Sequence, residues 1–129
     1  MAVSQPWTAG LAAGALVLAA GGACAQPTGD AAKGAAAFDD HCSDCHVMQG
    51  VGQGPSLIGV VGRKAASLPA YDYTAALKAS GLTWTPANLD RFLAGPRTLV
   101  PGTAMSAMVV DPVQRRDLIA YLGTLRPKH

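Results

Sequence analysis

Cys42-Ser43-Asp44-Cys45-His46 restricts the fold of this chain more than any other stretch. Two cysteines separated by two residues, with a histidine directly after the second, have the spacing for covalent attachment of a c-type haem. One short segment then supplies two thioether bonds, through Cys42 and Cys45, and one nitrogen to the iron, from His46. The remaining chain has to cover the ring and either provide a sixth ligand or leave that position open.

Two other chemistries use paired cysteines. A structural zinc site needs a second pair of ligands at similar spacing, and the only other cysteine is Cys24, inside an apolar leader. A thioredoxin-like site expects the cysteines to open a helix after a strand in a βαβ pattern, and no such pattern precedes Cys42. The chain, at 129 residues, has the size of one domain. So small a chain builds a small core, to which a buried ring would add a large apolar body. A net charge of +2, with every acid an aspartate, is too weak to argue for nucleic acid or strong membrane attraction.

Met1 to Gly29 carry no charged side chain, and Leu11 to Ala20 are apolar or glycine. Ala23-Cys24-Ala25 fits a small-x-small cleavage site, so residues 1–25 are expected to be a secretory signal removed before Gln26. Residues 26–129 would then be one domain in the periplasm. The missing Lys or Arg near the start departs from the signal pattern and keeps an anchored alternative open. In that alternative the leader stays in the membrane with the domain facing the periplasm, although Leu11–Ala20 falls short of the roughly 20 residues a span needs. Lipidation of Cys24 is a third route, but Gly21-Gly22-Ala23 lacks the large aliphatic expected before such a cysteine. If the leader is removed, only the two motif cysteines remain, and none is left for a disulfide.

The rest reads as all-α, about four helices joined by long loops. Asp30 is an N-cap for a helix of about ten residues leading into the motif. Gly34 inside it should cost about 1 kcal/mol against alanine, a loss that close approach of another helix would explain. Val47 to Pro55 is a turn-rich loop. Tyr71 and Tyr73 share a face if the chain there is extended, and Tyr71 to Ser80 read as a short helix closed by Gly81. Thr85-Pro86 opens a further helix whose Leu89, Phe92 and Leu93 make an apolar stripe, with Gly95-Pro96 as its stop. Arg97 to Val110 read as loop. Asp111-Pro112 opens the last helix, running to about Leu125 with Leu118, Tyr121, Leu122 and Leu125 on one face. Loops this long count against a compact chain unless they wrap a flat cofactor.

A sixth ligand has to approach from the face opposite His46. Met48 is too near in sequence, His41 adjoins the motif, and His129 lies at the terminus. Met105 and Met108 are both far enough along, and the Pro101-Gly102-Thr103 turn favours Met105. Methionine is also common core filler, so chain geometry leaves the choice open.

From Gly29 to about Leu125 the chain resembles a class I cytochrome c, of the mitochondrial and short bacterial type. The likeness rests on Gly29-Asp30 with Gly34 and Phe38; the Cys42–His46 motif; Gly54-Pro55-Ser56-Leu57 through Gly62-Arg63-Lys64; Tyr71-Asp72-Tyr73; Leu82-Thr83-Trp84; Val100 through Met105; and Arg116 through Leu122. The resemblance implies one haem c, with His46 as proximal ligand oriented by the Pro55 carbonyl and Met105 as distal ligand. It implies that Arg63, Tyr73 and Trp84 hydrogen-bond the propionates, that Leu57 and Leu93 wall the crevice, and that Gly34 and Phe38 pack on Tyr121. Three departures stand out. Phe92 replaces a frequent tyrosine donor to the methionine sulfur, and Leu77 replaces a polar residue that often helps hold water. A lysine ring is missing: His41, Thr98, Ala104, Asp111 and Pro112 occupy its places, with only Arg97 basic.

The function these readings imply is a periplasmic one-electron carrier, not an enzyme. Its partners would be redox proteins met transiently, with no nucleic acid and no membrane unless the leader stays attached, and the chain is expected to be a monomer. A permanent cytochrome subunit of a periplasmic dehydrogenase or oxidase is the alternative. A haem peroxidase or gas sensor is a further one that no second histidine or distal arginine in a recognisable peroxidase arrangement supports.

Overall fold

The computed structural model describes Ser4 and residues 28–49 and 52–128. The expected signal peptide, 1–25, lies outside the described residues apart from Ser4. The described chain forms five helices: α1 (Ala31–His41), α2 (Ala75–Ala79), α3 (Pro86–Ala94), α4 (Pro96–Leu99) and α5 (Pro112–Thr124). No strand is present among the described residues; one isolated antiparallel bridge joins Lys64 to Thr83. The all-α expectation holds, with one helix more than expected.

Local chemistry explains where the helices start. The Asp30 carboxylate accepts from the backbone N–H groups of Ala32 and Lys33, filling donors a helix start leaves unpaired. Thr85 does the same for Asn88 ahead of Pro86, and Asp111 for Val113 ahead of Pro112. Prolines at these first helical positions lose no hydrogen bond and have φ preset.

Two boundaries differ from the sequence expectation. α2 begins at Ala75, not Tyr71, because Thr74 caps it by accepting from Leu77, while Tyr73 turns into the interior at 7% exposure. Pro96 does not open a loop. The Gly95 N–H ends α3 on the Arg91 and Phe92 carbonyls, and Pro96 immediately starts α4. A proline that cannot continue one helix is well suited to begin the next.

α5 packs on α1 and α3, and α3 also packs on α4. At the α1–α5 crossing the backbones nearly touch: a Cβ on Gly34 would fall onto the Asp117 carbonyl. Phe38, one turn on and 2% exposed, stacks at a tilt on Tyr121 with ring centroids 5.5 Å apart. The buried Asp117 accepts from the Asp30 backbone N–H at 2.8 Å, so α5 also holds the start of α1. This packing sets the motif that follows α1 against the core formed by Leu118, Leu122, Leu89, Phe92 and Leu93.

Candidate functional site

The motif folds as one tight turn. The N–H groups of Cys45 and His46 both donate to the Cys42 carbonyl, at 3.1 and 2.8 Å, so a single turn of chain carries both thiols and the imidazole. Cys42 is buried in the core, and that burial, with Cys45 beside it, pushes its thiol up to about 11. Cys45 is exposed, and its sulfur donates to Gln53 Oε1 at 3.7 Å.

His46 Nδ1 lies 2.8 Å from the Pro55 carbonyl. A carbonyl only accepts, so Nδ1 carries the proton and Nε2 keeps its lone pair free for a metal. The ring is held from the side by Gly54, where an added Cβ would sit 2.5 Å from His46 Cε1. Two independent features thus fix the imidazole's tautomer and its plane.

A mostly apolar cavity of about 340 Å³ opens beside this ring, within the range of roughly 300–1,000 Å³ typical of ligand clefts. Cys45, His46 and Pro55 line it from the motif side, and Met105 with Ala104 and Thr103 from the far end of the chain. Leu57, Leu93, Leu77 and Phe92 give it apolar walls. Cys42 is set in the adjoining core and is not part of the lining. Phe92 packs on Trp84, ring centroids 4.8 Å apart, and brings no hydroxyl to the cavity.

Arg63, Tyr73 and Trp84 line the same cavity. Paired backbone segments place two of them side by side: Trp84 N–H donates to the Arg63 carbonyl, and Ala65 N–H to that of Leu82. The Arg63 guanidinium donates to the Ile58 and Ser56 carbonyls at 2.9 and 2.8 Å. Burial lowers its pKa and the neighbouring Tyr73 acts in the opposite direction; at neutral pH it stays charged. Neither the Tyr73 hydroxyl nor the Trp84 indole N–H bonds to protein among the described residues, so both donors are available at the cavity.

An apolar cavity with the Cys45 thiol in its wall and Cys42 in the adjoining core, lined by an imidazole, a thioether, a cation and two free donors, fits a haem with two propionates. Sequence reasoning did not assign Tyr71, Gln53 or Thr103, which also line the slot. Tyr71 closes over it by donating to the Gln53 carbonyl at 2.7 Å and meets the Tyr73 ring edge-on. The signal for this pair was the shared face of Tyr71 and Tyr73.

The sequence matches the family described as cytochrome c over residues 31–126. The chain belongs to the cytochrome c family. It is 42% identical over 106 residues to a cytochrome c2 of Rhodomicrobium vannielii, covering 79% of this chain and 84% of that protein. Against a cytochrome c2 of Rhodopila globiformis it is 43% identical over 103 residues, covering 78% and 97%. Among solved structures, cytochrome cH from Methylobacterium extorquens superposes with a TM-score of 0.71 at 48% identity, covering 74% of this chain and 99% of that one. As a cytochrome c, the chain is a haem c electron-transfer protein and not an enzyme, with Cys42 and Cys45 as its attachment pair. Its redox partners are met transiently.

Proposed function

We propose that this cytochrome c is a periplasmic one-electron carrier whose iron is held by His46 and Met105. The observation that carries the reading is the shared cavity. His46, with Nε2 free, and Met105, from a loop about sixty residues later in the chain, line one apolar slot. The haem supplies a one-electron couple at a potential that a methionine ligand raises relative to two histidines.

The chain's own residues do the rest. Pro55 orients His46, and Gly54 leaves the ring room in one plane only. Leu57, Leu77, Phe92 and Leu93 keep water from the slot, which strengthens every polar contact inside it. Arg63, Tyr73 and Trp84 hold the propionates, offsetting the cost of carboxylates at an apolar site. With His46 and Met105 both available to hold the iron, the protein would leave no place for a substrate, and the chemistry supplied would be electron exchange. Residues 1–25 act as a cleaved export signal, and 26–129 form a monomeric domain. Docking is brief and small in area, below about 1,200 Å², and uses the exposed rim of Ala104, Ala107 and Met108.

Potentiometric titration of the purified protein should give one reversible one-electron wave, and the reduced form should bind carbon monoxide slowly. Rapid carbon monoxide binding by the native reduced protein would contradict closure by Met105. Fractionation of cells expressing the full chain should recover the domain, starting at Gln26, with periplasmic contents; recovery with membranes would favour the anchored form.

A further inference from the structure

Among the described residues, the hydrogen bonds that hold the loop carrying Met105 lie toward its two ends. Near its start, the Thr103 N–H donates to the Val100 carbonyl, and near its end the Val109 N–H donates to the Leu93 carbonyl at 2.9 Å. Between them, Ala104 to Met108 make no backbone hydrogen bond among the described residues. A span like this has few backbone bonds of its own to offset the entropy lost in fixing it in one conformation. Its backbone is anchored at its ends, with Met105 packed against the core between them.

The far end is gripped by one side chain. Arg115, on α5 and 12% exposed, donates through one terminal nitrogen to the Val109 carbonyl at 2.9 Å and to the Val110 carbonyl at 2.7 Å. Its Nε donates to Asp90 Oδ1, on α3, at 2.7 Å. Asp90 and Leu93 are one turn apart on α3, so that helix and Arg115 hold Val109 and Val110 from both sides. The start of α5 does not need this side chain, because Asp111 already caps it through Val113. The acceptors are loop carbonyls just downstream of the methionine.

We propose that Arg115, oriented by Asp90, is a positioning residue for Met105: it fixes the end of the Val100–Asp111 loop and so keeps the thioether in the cavity. The proposal rests on Met105 being the distal ligand. A planar guanidinium reaches two carbonyls and a carboxylate at once, which the point charge of a lysine does not reproduce. Loss of the grip lets the loop leave the cavity more often, and an incoming probe reads that open fraction directly.

The test is the rate of carbon monoxide binding to the reduced holoprotein, with the far-red methionine-to-iron absorption band of the oxidised form and the melting temperature recorded alongside. Arg115→Met should speed binding by about tenfold or more, the factor corresponding to one lost charge-assisted hydrogen bond, and should weaken the far-red band. Asp90→Asn, a change at a half-exposed position that should fold readily, should move both readouts the same way by less, and Arg115→Lys should restore only part of the native rate. Gly34→Ala, which loosens the fold at the distant α1–α5 crossing, is the control for general destabilisation. Unchanged rates in Arg115→Met and Asp90→Asn overturn the proposal, as does equal acceleration in Gly34→Ala at the same loss of melting temperature. If Met105→Ala keeps the far-red band, the ligand assignment fails and takes the Arg115 proposal with it. If Met105→Ala loses the band while the Arg115 variants behave as native, only the proposal falls.

Discussion

His46, the proposed proximal ligand, shows how few atoms are needed to prepare an imidazole for a metal. The Pro55 carbonyl selects the tautomer, and the bare Gly54 backbone lets the ring lie where Nε2 faces the cavity. The ligand spacing was legible in the motif itself, because covalent attachment fixes residue types at fixed intervals, and the role of the proline followed from the family resemblance. The glycine's contact with the ring was not, since a glycine in a turn-rich loop reads only as a turn. Gly54→Ala adds a methyl where it meets the imidazole, so it should destabilise the protein by about 1–3 kcal/mol, as overpacking does. Chemical denaturation of the holoprotein measures that loss, and a shift in its visible spectrum would report the displaced ring. Arg115 was less legible still: in sequence it is half of an Arg-Arg pair on a polar helix face, and only the fold brings it to the Val109 and Val110 carbonyls.

At the level of elements, the helices with strong caps were legible almost to the residue. Asp30, Thr85-Pro86 and Asp111-Pro112 satisfy the same orphaned donors in any fold, so α1, α3 and α5 start where local chemistry puts them. α2 and α4 are short, starting at the Thr74 cap and at Pro96. Tyr73 is drawn into the cavity, which keeps Tyr71 to Thr74 out of the helix. Gly34 shows the opposite case, a local cost repaid by packing. Alanine there gains about 1 kcal/mol in helix propensity, yet its Cβ has no space against the Asp117 carbonyl. Gly34→Ala should therefore be net destabilising, toward the upper end of about 1–3 kcal/mol or beyond. Urea unfolding checks the sign: a more stable variant would mean that α1 and α5 can separate without loss.

Across the whole molecule, charge is sparse around the cavity mouth. Among its lining residues only Arg63 and Asp72 are charged, while Ala104 and Ala107 are exposed; Met108, 56% exposed, follows in the same loop, and of the exposed Arg97, Thr98, Asp111 and Pro112 only Arg97 is basic. With a net charge of only +2, the molecule offers weak steering to a charged partner. Its electron-exchange rates with an anionic and a cationic small-molecule oxidant should differ by much less than the roughly 10–10³-fold that focused fields produce. Stopped-flow rates at low and high salt would show this as a shallow dependence; a steep fall with the anionic reagent alone would reveal a basic docking face. The molecule-wide feature on which everything else depends is closure of one cavity by residues from both ends of the domain. An optical spectrum of the oxidised protein, taken for the native chain and for Met105→Ala, tests it most directly. The far-red methionine-to-iron band should be present in the native protein and absent from the variant; a band that survives the substitution would contradict a His46–Met105 centre.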